Sequence, residues 1–361
     1  MSKSYYSLGL MSGTSMDGVD ASIIQSDGET KYKVILDKYF EYPEGIYKEL
    51  IKLRDKIISS KDLKKFSKEI KEIEKKITLF QGKLTREIIK ESRSNINFIG
   101  FHGQTIYHNA KEKISIQLGD GKLLAKTTKK TVIYDFRQND LKNGGQGAPL
   151  TPIFHKLLVT KNKIEPPVGI LNIGGIANFT SINTNNNISS LDIGAGNCLI
   201  DKWMREKSRK QYDKNGEVAQ SGQINKMVLD QALDNFYNND LSKKRSYDIK
   251  DFDLSFIRGL SLEDGAATLT DYTAKILSKK IPNNLIFLCG GGRKNKFLVK
   301  SIQEKIKGKI KLIDDLGIDG DFVESQAFAF LAIRTYLKLP ISFPETTGVK
   351  EPCLGGKIFK N

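Results

Sequence analysis

Short apolar runs separated by turn residues open the chain. The runs are of strand length and cover residues 5–11, 18–25 and 32–39, with glycine, serine and aspartate between them. This alternation is typical of strands joined by tight turns. The pattern therefore predicts an antiparallel meander of three strands.

From residue 63 onward the spacing of apolar positions changes. They recur at intervals of three and four, with lysine and glutamate between them, at Leu63, Phe66, Ile70, Ile73, Ile77, Phe80, Leu84 and Ile88. Such spacing puts the side chains on one face of a helix. Only about four heptads are sustained, and no second helix of this kind is present to pair with it. We therefore predict one long amphipathic helix within a domain, and not a coiled coil.

The remaining pattern alternates strands and helices and repeats the opening. After the long helix, the pattern predicts strands at 95–101, 114–118 and 131–136 and a short helix at 121–128. Three further apolar runs, again separated by glycine and polar turns, lie at 168–173, 177–182 and 188–193, and a later strand at 285–289. The repetition suggests an internal duplication. Alternating strands and helices predict the α/β class with mixed sheets.

Turn residues are dense at 144–149, and we place the crossing between two domains there. The predicted N-terminal lobe spans 1–143, joined by the tail at 341–361, and the C-terminal lobe spans 144–340. A chain of 361 residues with 39% hydrophobic and 28% charged residues has the size of a two-domain enzyme.

The composition restricts the cellular location and the kinds of binding partner that we expect for the protein. No apolar stretch reaches the roughly 18 residues of a spanning helix, and the first residues lack the features of an export signal. Three cysteines without C-x-x-C spacing suggest neither a disulfide framework nor a zinc site, which fits a reducing cytoplasm. The net charge of +16 comes mainly from scattered lysines, since only 10 basic residues are arginine. We therefore expect neither a membrane nor a nucleic-acid partner.

Glycine-rich turns after strands are the first candidates for chemistry. Residues 9–20 read GLMSGTSMDGVD, in which small residues let backbone amides approach an anion, and Asp17 and Asp20 would hold a metal. An ordinary hairpin turn is the alternative reading. Further turns of this kind read NIGGIAN, LDIGAGN and CGGGRKN. Several such turns at strand ends favour a ligand cleft, although isolated glycines usually mark simple turns.

Three side chains stand out beside these turns. Asp192 lies at a predicted strand end, where a carboxylate can accept a proton, although a helix N-cap is the alternative. His102 follows a strand within FHGQT, a position that more often holds a structural histidine than a base. Arg137 in DFRQNDL would clamp a carboxylate or phosphate, or else form a surface ion pair.

Taken in order, these segments resemble the anhydro-N-acetylmuramic acid kinase family over nearly the full chain. The matching blocks are GLMSGTSMDGVD, FHGQTIYH, DFRQNDL with GGQGAPLTPIFH, LNIGGIANFT, LDIGAGN, GAATLTDYTA, CGGGRKN, GIDGDFVESQAFAFLA and TTGVKEPCLGG. The resemblance implies duplicated ribonuclease-H-like domains of the actin, hexokinase and heat-shock-70 ATPase type, with two lobes around a cleft. It also implies a homodimer that uses ATP and Mg²⁺.

The activity implied by the resemblance is the hydrolytic opening and phosphorylation of 1,6-anhydro-N-acetylmuramic acid during cell-wall recycling. Asp192 takes the position of the family's catalytic base. The implied nucleotide-binding residues are Gly13, Thr14, Ser15, Met16, Asp17, Gly18, Val19, Asp20, Gly174, Gly175, Gly290, Gly291 and Gly292. The implied sugar contacts are Arg137, Glu324, Ser15, His102 and Gln104.

Two segments depart from the family pattern. The family's Asp-Thr-Gly-Pro is replaced by Asp192, Ile193, Gly194 and Ala195, so that a hydroxyl beside the base is missing. The family's Lys-Ser-Thr-Gly-Arg-Glu is replaced around 245–251 by RSYDIKD, beginning at Arg245. Two other functions remain open: an ATP-binding protein of the actin or heat-shock type, and a conventional sugar kinase in which Asp192 deprotonates a free hydroxyl.

Overall fold

The computed structural model describes residues 3–238, 246–282 and 284–361. The chain divides into two compact units, one formed by Met1–Ile164 with Phe322–Asn361 and the other by Glu165–Asp321. Across the described ranges, every helix is too short or too polar to span a bilayer.

A mixed sheet of seven strands forms the centre of the first unit. Its strands are β1 (Tyr5–Ser12), β2 (Gly18–Ser26), β3 (Tyr32–Glu41), β4 (Phe98–Asn109), β5 (Ile114–Leu118), β6 (Thr131–Tyr134) and β12 (Lys357–Phe359). They lie in the order β12-β6-β4-β1-β2-β3, and β5 pairs with β4. β1, β2 and β3 form the predicted antiparallel meander, whereas β4 runs parallel to β1 and to β6.

The second unit repeats this arrangement. Its strands are β7 (Val168–Ile173), β8 (Ile176–Ile182), β9 (Ile188–Ala195), β10 (Leu285–Cys289) and β11 (Lys309–Leu312). Their order is β11-β10-β7-β8-β9, with an antiparallel β7–β8–β9 meander and β10 parallel to both β7 and β11. The same strand order in both sheets confirms the predicted duplication. It also confirms the predicted fold class, α/β with mixed sheets in two duplicated domains.

Helices connect and cover both sheets. Those of the first unit are α1 (Glu44–Lys56), α2 (Ser60–Lys65), α3 (Ser67–Ser92), α4 (Gly121–Thr128), α5 (Gln138–Lys142), α6 (Pro152–Lys161), α12 (Val323–Tyr336) and α13 (Pro344–Thr347). Those of the second are α7 (Cys198–Lys207), α8 (Glu217–Ser221), α9 (Lys226–Asn238), α10 (Leu262–Lys280) and α11 (Lys296–Gln303). The predicted helix at 121–128 is confirmed as α4.

The long amphipathic helix is confirmed, with one break. The apolar stripe is buried in the first unit's core at Ile73, Ile77 and Leu84. The helix begins anew at Ser67, however, because Phe66 leaves helical geometry, so the predicted N-terminal turns form the separate helix α2.

Helix α12 packs on the first sheet where two strands lack side chains. Gly9 and Gly100 face each other in the β1–β4 register. A Cβ on Gly9 would lie 1.9 Å from the Ser325 carbonyl oxygen, and one on Gly100 would lie 2.2 Å from that of Phe328. Glycine is therefore required at both positions for the helix backbone to approach the sheet this closely.

The observed units differ from the predicted lobes at both boundaries. Residues 144–164 and 322–340 belong to the first unit and not to the second. The first segment is held there by the Gln146 amide, which donates to the Thr347 carbonyl oxygen at 2.8 Å. The second segment contains α12, which packs on β1, β2 and β4. Both attachments join residues far apart in the chain, so local turn density misplaced the boundaries.

Candidate functional site

The predicted sugar and phosphate contacts of the first unit collect at one edge of its sheet. β1, β4 and β6 are parallel, so their carboxyl ends share an edge. The turn from Gly13 follows β1, His102 and Gln104 lie in β4, and Arg137 comes three residues after β6. The topology thus brings together residues that the sequence placed in three separate motifs.

The turn after β1 exposes only part of the predicted phosphate segment. Thr14, Ser15 and Asp17 are exposed, and the Ser15 hydroxyl donates to Asp17 Oδ1 at 2.5 Å. Met16 has a φ of 60° and is only 2% exposed. Its side chain belongs to the core, as do Gly18 and the side chain of Val19, which begin β2. Hydroxyls, a carboxylate and backbone amides are therefore the groups that this turn offers to a ligand.

Two carboxylates near this turn fit a hard divalent cation. Asp17 is exposed and Asp20 is half-buried in β2. Burial, together with the nearby charges of Asp17 and Asp20, raises the pKa of the Tyr39 hydroxyl, so both carboxylates lie near one ring. The described part of the chain has no cluster of three or more metal-binding side chains. Mg²⁺ commonly binds one or two protein carboxylates and completes its shell with water and phosphate oxygens, so this pair suits it.

A network of buried polar side chains supports the turn that follows β1. Gln104 is fully buried, and its Nε2 donates to the Gly13 carbonyl oxygen at 2.8 Å. The hydroxyls of Ser12 and Tyr42 lie 3.0 Å apart, and Gln81 Nε2 donates to Tyr42 at 2.9 Å. Burial raises the pKa of Tyr42 to about 12, so its hydroxyl stays protonated. Sequence analysis missed Ser12, Tyr42 and Gln81, although Gln81 is a polar residue within the apolar stripe of α3.

Gln104 also presents an unused acceptor. Its Oε1 is buried and accepts no hydrogen bond from the residues that the structure describes. The Nε2 bond to Gly13 fixes which end of the amide points where, because a carbonyl oxygen can only accept. A buried polar atom left without a partner is costly. This oxygen is therefore suited to a ligand hydroxyl or to a bound water.

His102 and Arg137 form a pair whose protonation is set by geometry. His102 Nδ1 lies 2.8 Å from the Gly103 carbonyl oxygen, so Nδ1 carries the proton and Nε2 is an acceptor. Arg137 donates to this Nε2 from Nε at 3.2 Å and from Nη2 at 2.9 Å. Burial and the Arg137 charge hold the pKa of His102 well below its usual value. His102 is therefore a neutral support for Arg137 and cannot serve as a proton donor near neutral pH.

Arg137 is also held from its other side. Its Nη1 donates to the Gly147 carbonyl oxygen at 2.8 Å, and the Gly147 amide donates to Asp140 Oδ1 at 2.5 Å. Asp140 is 1% exposed and accepts at Oδ2 from the Thr347 hydroxyl at 2.5 Å. The sequence analysis did not identify Asp140 or Thr347 as site residues. The only sequence signal for them is that Asp140 lies in the DFRQNDL block and Thr347 in the TTGVKEPC block. The network places the Arg137 guanidinium before any ligand arrives.

Glu324 lies in the first turn of α12, and the next two residues of the helix form hydrogen bonds to strands of the first sheet. The Ser325 hydroxyl lies 2.6 Å from that of Ser22 on β2, and Gln326 Nε2 donates to Asp37 Oδ2 on β3 at 2.8 Å. Glu324 itself is half-buried. The helix end that carries this carboxylate is thus fixed on the same sheet as Arg137.

The second unit brings its glycine turns together in the same way. Gly174 and Gly175 follow β7, and the amides of Gly196 and Asn197 donate to the carbonyl oxygens of Gly175 and Gly174 at 2.9 and 2.8 Å. A Cβ on Gly196 would lie 2.2 Å from the Gly174 carbonyl oxygen. The NIGG and LDIGAGN turns are therefore one packed structure, and a side chain at Gly196 would separate them.

The third glycine turn, after β10, has a single open position. A Cβ on Gly290 would lie 2.3 Å from Asn172 Oδ1, and one on Gly292 would lie 2.2 Å from Ile173 Cγ2. Gly291 is exposed, and a Cβ there would meet no atom of the described residues within 4 Å. Gly290 and Gly292 thus serve packing against β7, whereas the backbone at Gly291 is accessible to a ligand.

Asp192 lies inside β9 and not at its end. It is 6% exposed and pairs in register with Asn178 on β8. Its Oδ2 accepts from the Tyr247 amide at 2.9 Å. The Asn178 Oδ1 is buried, and no described residue donates to it. Opposed residues of an antiparallel pair share a face of the sheet, so this orphan oxygen belongs to the surroundings of Asp192.

Tyr247 comes from the segment that departs from the family pattern. Its ring packs on Phe252 at 5.3 Å, and Lys280 Nζ donates to its hydroxyl at 3.4 Å. Burial lowers the pKa of Lys280, against the opposing effect of the Asp192 charge. The replacement segment therefore contacts the candidate base directly. Arg245, its first residue, lies outside the described residues.

Comparisons with known proteins place the chain among sugar kinases. Residues 5–361 match the family model described as anhydro-N-acetylmuramic acid kinase. The anhydro-N-acetylmuramic acid kinase of Pelagibacter ubique strain HTCC1062 is 56% identical over 374 residues, covering 100% of both chains. That of Zymomonas mobilis subsp. mobilis strain ATCC 31821 is 36% identical, covering 97% of this chain and 98% of its own.

Similarity to solved structures is more distant. The activator of the 2-hydroxyisocaproyl-CoA dehydratase from Clostridium difficile, with bound ADPNP, has a TM-score of 0.47 and 13% identity. That alignment covers 92% of this chain and 96% of the activator. The range that the family model matches, residues 5–361, spans the positions of all the candidate site residues.

Proposed function

Because the chain belongs to the anhydro-N-acetylmuramic acid kinase family, we propose that it opens and phosphorylates 1,6-anhydro-N-acetylmuramic acid. Water adds to the anomeric carbon, the ether bond from C1 to O6 breaks, and O6 takes the γ-phosphoryl group of ATP. The products are N-acetylmuramic acid 6-phosphate and ADP. The enzyme is thus a phosphotransferase of cell-wall recycling, and the full-length family match is the observation that carries this assignment.

Asp192 is the proposed base. Inversion at an anomeric carbon by water needs a carboxylate that accepts the proton as the new C–O bond forms. The support is a buried carboxylate whose Oδ2 is held by the Tyr247 amide, so that its orientation is fixed. The second proton of the water stays on the new 1-hydroxyl group.

Arg137 and Glu324 are the proposed sugar contacts, and Arg137 would bind the lactyl carboxylate. The support is a guanidinium already oriented by His102 and by the Gly147 carbonyl oxygen. An arginine held before binding loses little side-chain entropy when the ligand arrives. Gln104 would add its unused Oε1 as an acceptor for a sugar hydroxyl.

The glycine turns are the proposed nucleotide contacts. Thr14 and Ser15 would donate to phosphate oxygens, and Gly174, Gly175 and Gly291 would let the nucleotide approach the backbone. Asp17 and Asp20 would hold Mg²⁺, which, when bound, neutralises phosphate charge for in-line transfer. The support is that Thr14, Ser15, Asp17 and Gly291 are exposed and Gly174 and Gly175 partly exposed, in turns that follow the parallel strands β1, β7 and β10.

The direct test supplies ATP, Mg²⁺ and the anhydro-sugar in H₂¹⁸O and follows products by mass spectrometry. The proposal predicts a sugar 6-phosphate with the heavy oxygen at C1. Absence of product at high enzyme concentration would overturn the proposed function. Phosphorylation of N-acetylmuramic acid, with no reaction of the anhydro form, would instead identify a conventional sugar kinase.

Asp192→Asn tests the base. It removes the proton acceptor with little change in shape, so turnover should fall by at least about 1000-fold, near the range of general base catalysis, while ADP still binds. Asp230→Asn is the matched control, because Asp230 is 69% exposed and paired loosely with Lys275 at 3.8 Å. Near-normal turnover by Asp192→Asn would remove Asp192 from the mechanism.

The proposal also includes the cellular location of the protein and its oligomeric state. An ATP-dependent recycling enzyme is expected in the cytoplasm as a homodimer, without nucleic acid. The scattered lysines support the last point, since a polyanion site needs a concentrated basic surface. Sedimentation analysis and a salt-dependent DNA-binding assay test assembly and nucleic-acid binding.

A further inference from the structure

The guanidinium of Arg293 has a hydrogen-bond acceptor for every one of its N–H groups. Arg293 follows Gly290–Gly292 directly, and its side chain is 5% exposed. It donates to the two Asp314 oxygens at 2.7 and 2.9 Å, to Asp319 at 3.0 Å, to Asp321 at 2.5 Å and to the Gly290 carbonyl oxygen at 3.2 Å. An arginine has five N–H donors, so all are used.

These bonds join three pieces of chain in the second unit. Asp314 lies in the turn after β11, and Asp319 and Asp321 lie in the last residues of the unit. The Gly290 amide donates to the Gly320 carbonyl oxygen at 2.9 Å. A Cβ on Gly320 would lie 2.4 Å from Arg293 Nε, so the segment lies directly against the guanidinium.

We infer that Arg293 is a positioning residue for the nucleotide, acting through the backbone of the Gly290–Gly292 turn. The inference rests on the proposed function, which makes this turn a nucleotide contact. Gly291 is the open position of the turn, since a Cβ added there would meet no described atom within 4 Å. Its place is set by the Gly290 carbonyl oxygen and amide, which bond to Arg293 and to the segment that Arg293 binds.

Arg293 also balances charge beside the turn. Three carboxylates surround it, and Lys294 pairs with Asp321 from the exposed side. Removing the guanidinium would leave these carboxylates poorly compensated next to a site for phosphates. Arg293 therefore contributes both geometry and charge to nucleotide binding, and the two contributions are separable by substitution.

The experiment measures ADP affinity by isothermal titration calorimetry and steady-state kinetics with the anhydro-sugar. Arg293→Lys keeps the positive charge but loses the planar guanidinium and its set of five hydrogen bonds. We expect ADP affinity to fall and the KM for ATP to rise about tenfold, with the KM for the sugar unchanged within about twofold. Arg293→Met, which removes the charge as well, should weaken ADP further and more than it weakens adenosine. Lys300→Met is the matched control, because this side chain on α11 is 73% exposed and pairs only with Glu304 at 3.9 Å among the described residues. It should change neither constant by more than about twofold.

A purely structural role would lower the melting temperature and leave the nucleotide constants unchanged, and that result would overturn the inference. Should Arg293 variants fail to fold, Asp319→Ala removes one of the five acceptors at a half-exposed side chain. It should still weaken ADP by about threefold, and unchanged ADP affinity would again contradict the inference. Failure of the proposed function looks different, since a wild-type protein that binds ADP without converting the sugar leaves the effect of Arg293 measurable.

Discussion

Two buried histidines of the first unit predict a loss of stability in mild acid. His102 is 5% exposed and His155 is 1% exposed. Burial, with the charge of Arg137, holds the pKa of His102 well below its ordinary value of 6.5. Burial lowers the pKa of His155 from the same value to about 3. His155 is therefore neutral in the folded protein at pH 5, and burial favours the neutral form of His102 as well, whereas both side chains are protonated in the unfolded chain at this pH.

The sign and size follow from proton linkage. Below pH 6.5 the unfolded chain binds protons that the folded protein does not, so falling pH favours unfolding. His155 lowers the free energy of unfolding by about 2 kcal/mol between pH 7 and pH 5, and His102 acts in the same direction. The contribution of His155 alone is already a considerable part of the roughly 5–15 kcal/mol typical of a folded domain.

Urea unfolding at pH 7, 6 and 5 measures this loss, followed by circular dichroism. Replacing His155 by glutamine should flatten the pH dependence of the unfolding free energy by about 1 kcal/mol per pH unit, averaged between pH 7 and pH 5. The quantity compared is the difference between wild type and variant, because carboxylate titration contributes equally to both. The single tryptophan, Trp203, lies in the second unit, which contains no histidine, and its fluorescence gives a parallel reading of that unit.

The double variant His102→Gln/His155→Gln should lose almost all of the predicted slope between pH 7 and 5. The amide oxygen introduced by His102→Gln would still accept a hydrogen bond from Arg137, so stability at pH 7 should change much less than stability at pH 5. A double variant that weakens with acid as steeply as wild type would refute the reasoning. The histidines would then be protonated in the folded protein.

Two further predictions concern packing and loop support. Gly9→Ala should lower the free energy of unfolding by about 3 kcal/mol, because its Cβ would lie 1.9 Å from the Ser325 carbonyl oxygen. Gly45→Ala, in open space on α1, should raise it by about 0.5–1 kcal/mol, and urea unfolding of both variants checks the contrast. Asp140→Asn replaces one acceptor by a donor, so stability should fall by about 2 kcal/mol. The KM for the anhydro-sugar should rise with it, because Arg137 loses the support of the Gly147 loop. An unchanged KM in steady-state kinetics would contradict this.

The meanders were predictable because each strand is a short apolar run between turn residues. Helix α12 shows why the lobe boundaries were not. Nearly all of its residues are buried, so its sequence lacks a polar face that would indicate which sheet it covers. Its partner surface is the Gly9–Gly100 pair, whose meaning depends on strand register and not on local sequence.

The sequence predicted the candidate site only where a motif lies at the end of a strand. His102 and Arg137 come together because β4 and β6 are parallel neighbours. The bond between Asp140 and Thr347 joins residues 207 positions apart, and no local pattern indicates it. The position of Asp192 within β9 was also missed, because the strand continues past Ile193 to Ala195.

Each of the two proposed ligand-binding loops is held by its own buried charged side chain, which forms several hydrogen bonds. Asp140 fixes the loop at Gly147 on the sugar side, and Arg293 fixes the turn at Gly290 on the nucleotide side. Each side chain bonds to backbone of the loop and to a residue distant in sequence, Thr347 or Asp321. A loop fixed in this way needs little ordering when a ligand binds, so more of the interaction free energy remains for affinity. Substitution at either charged residue should therefore weaken one ligand selectively, which distinguishes this arrangement from a general loss of stability.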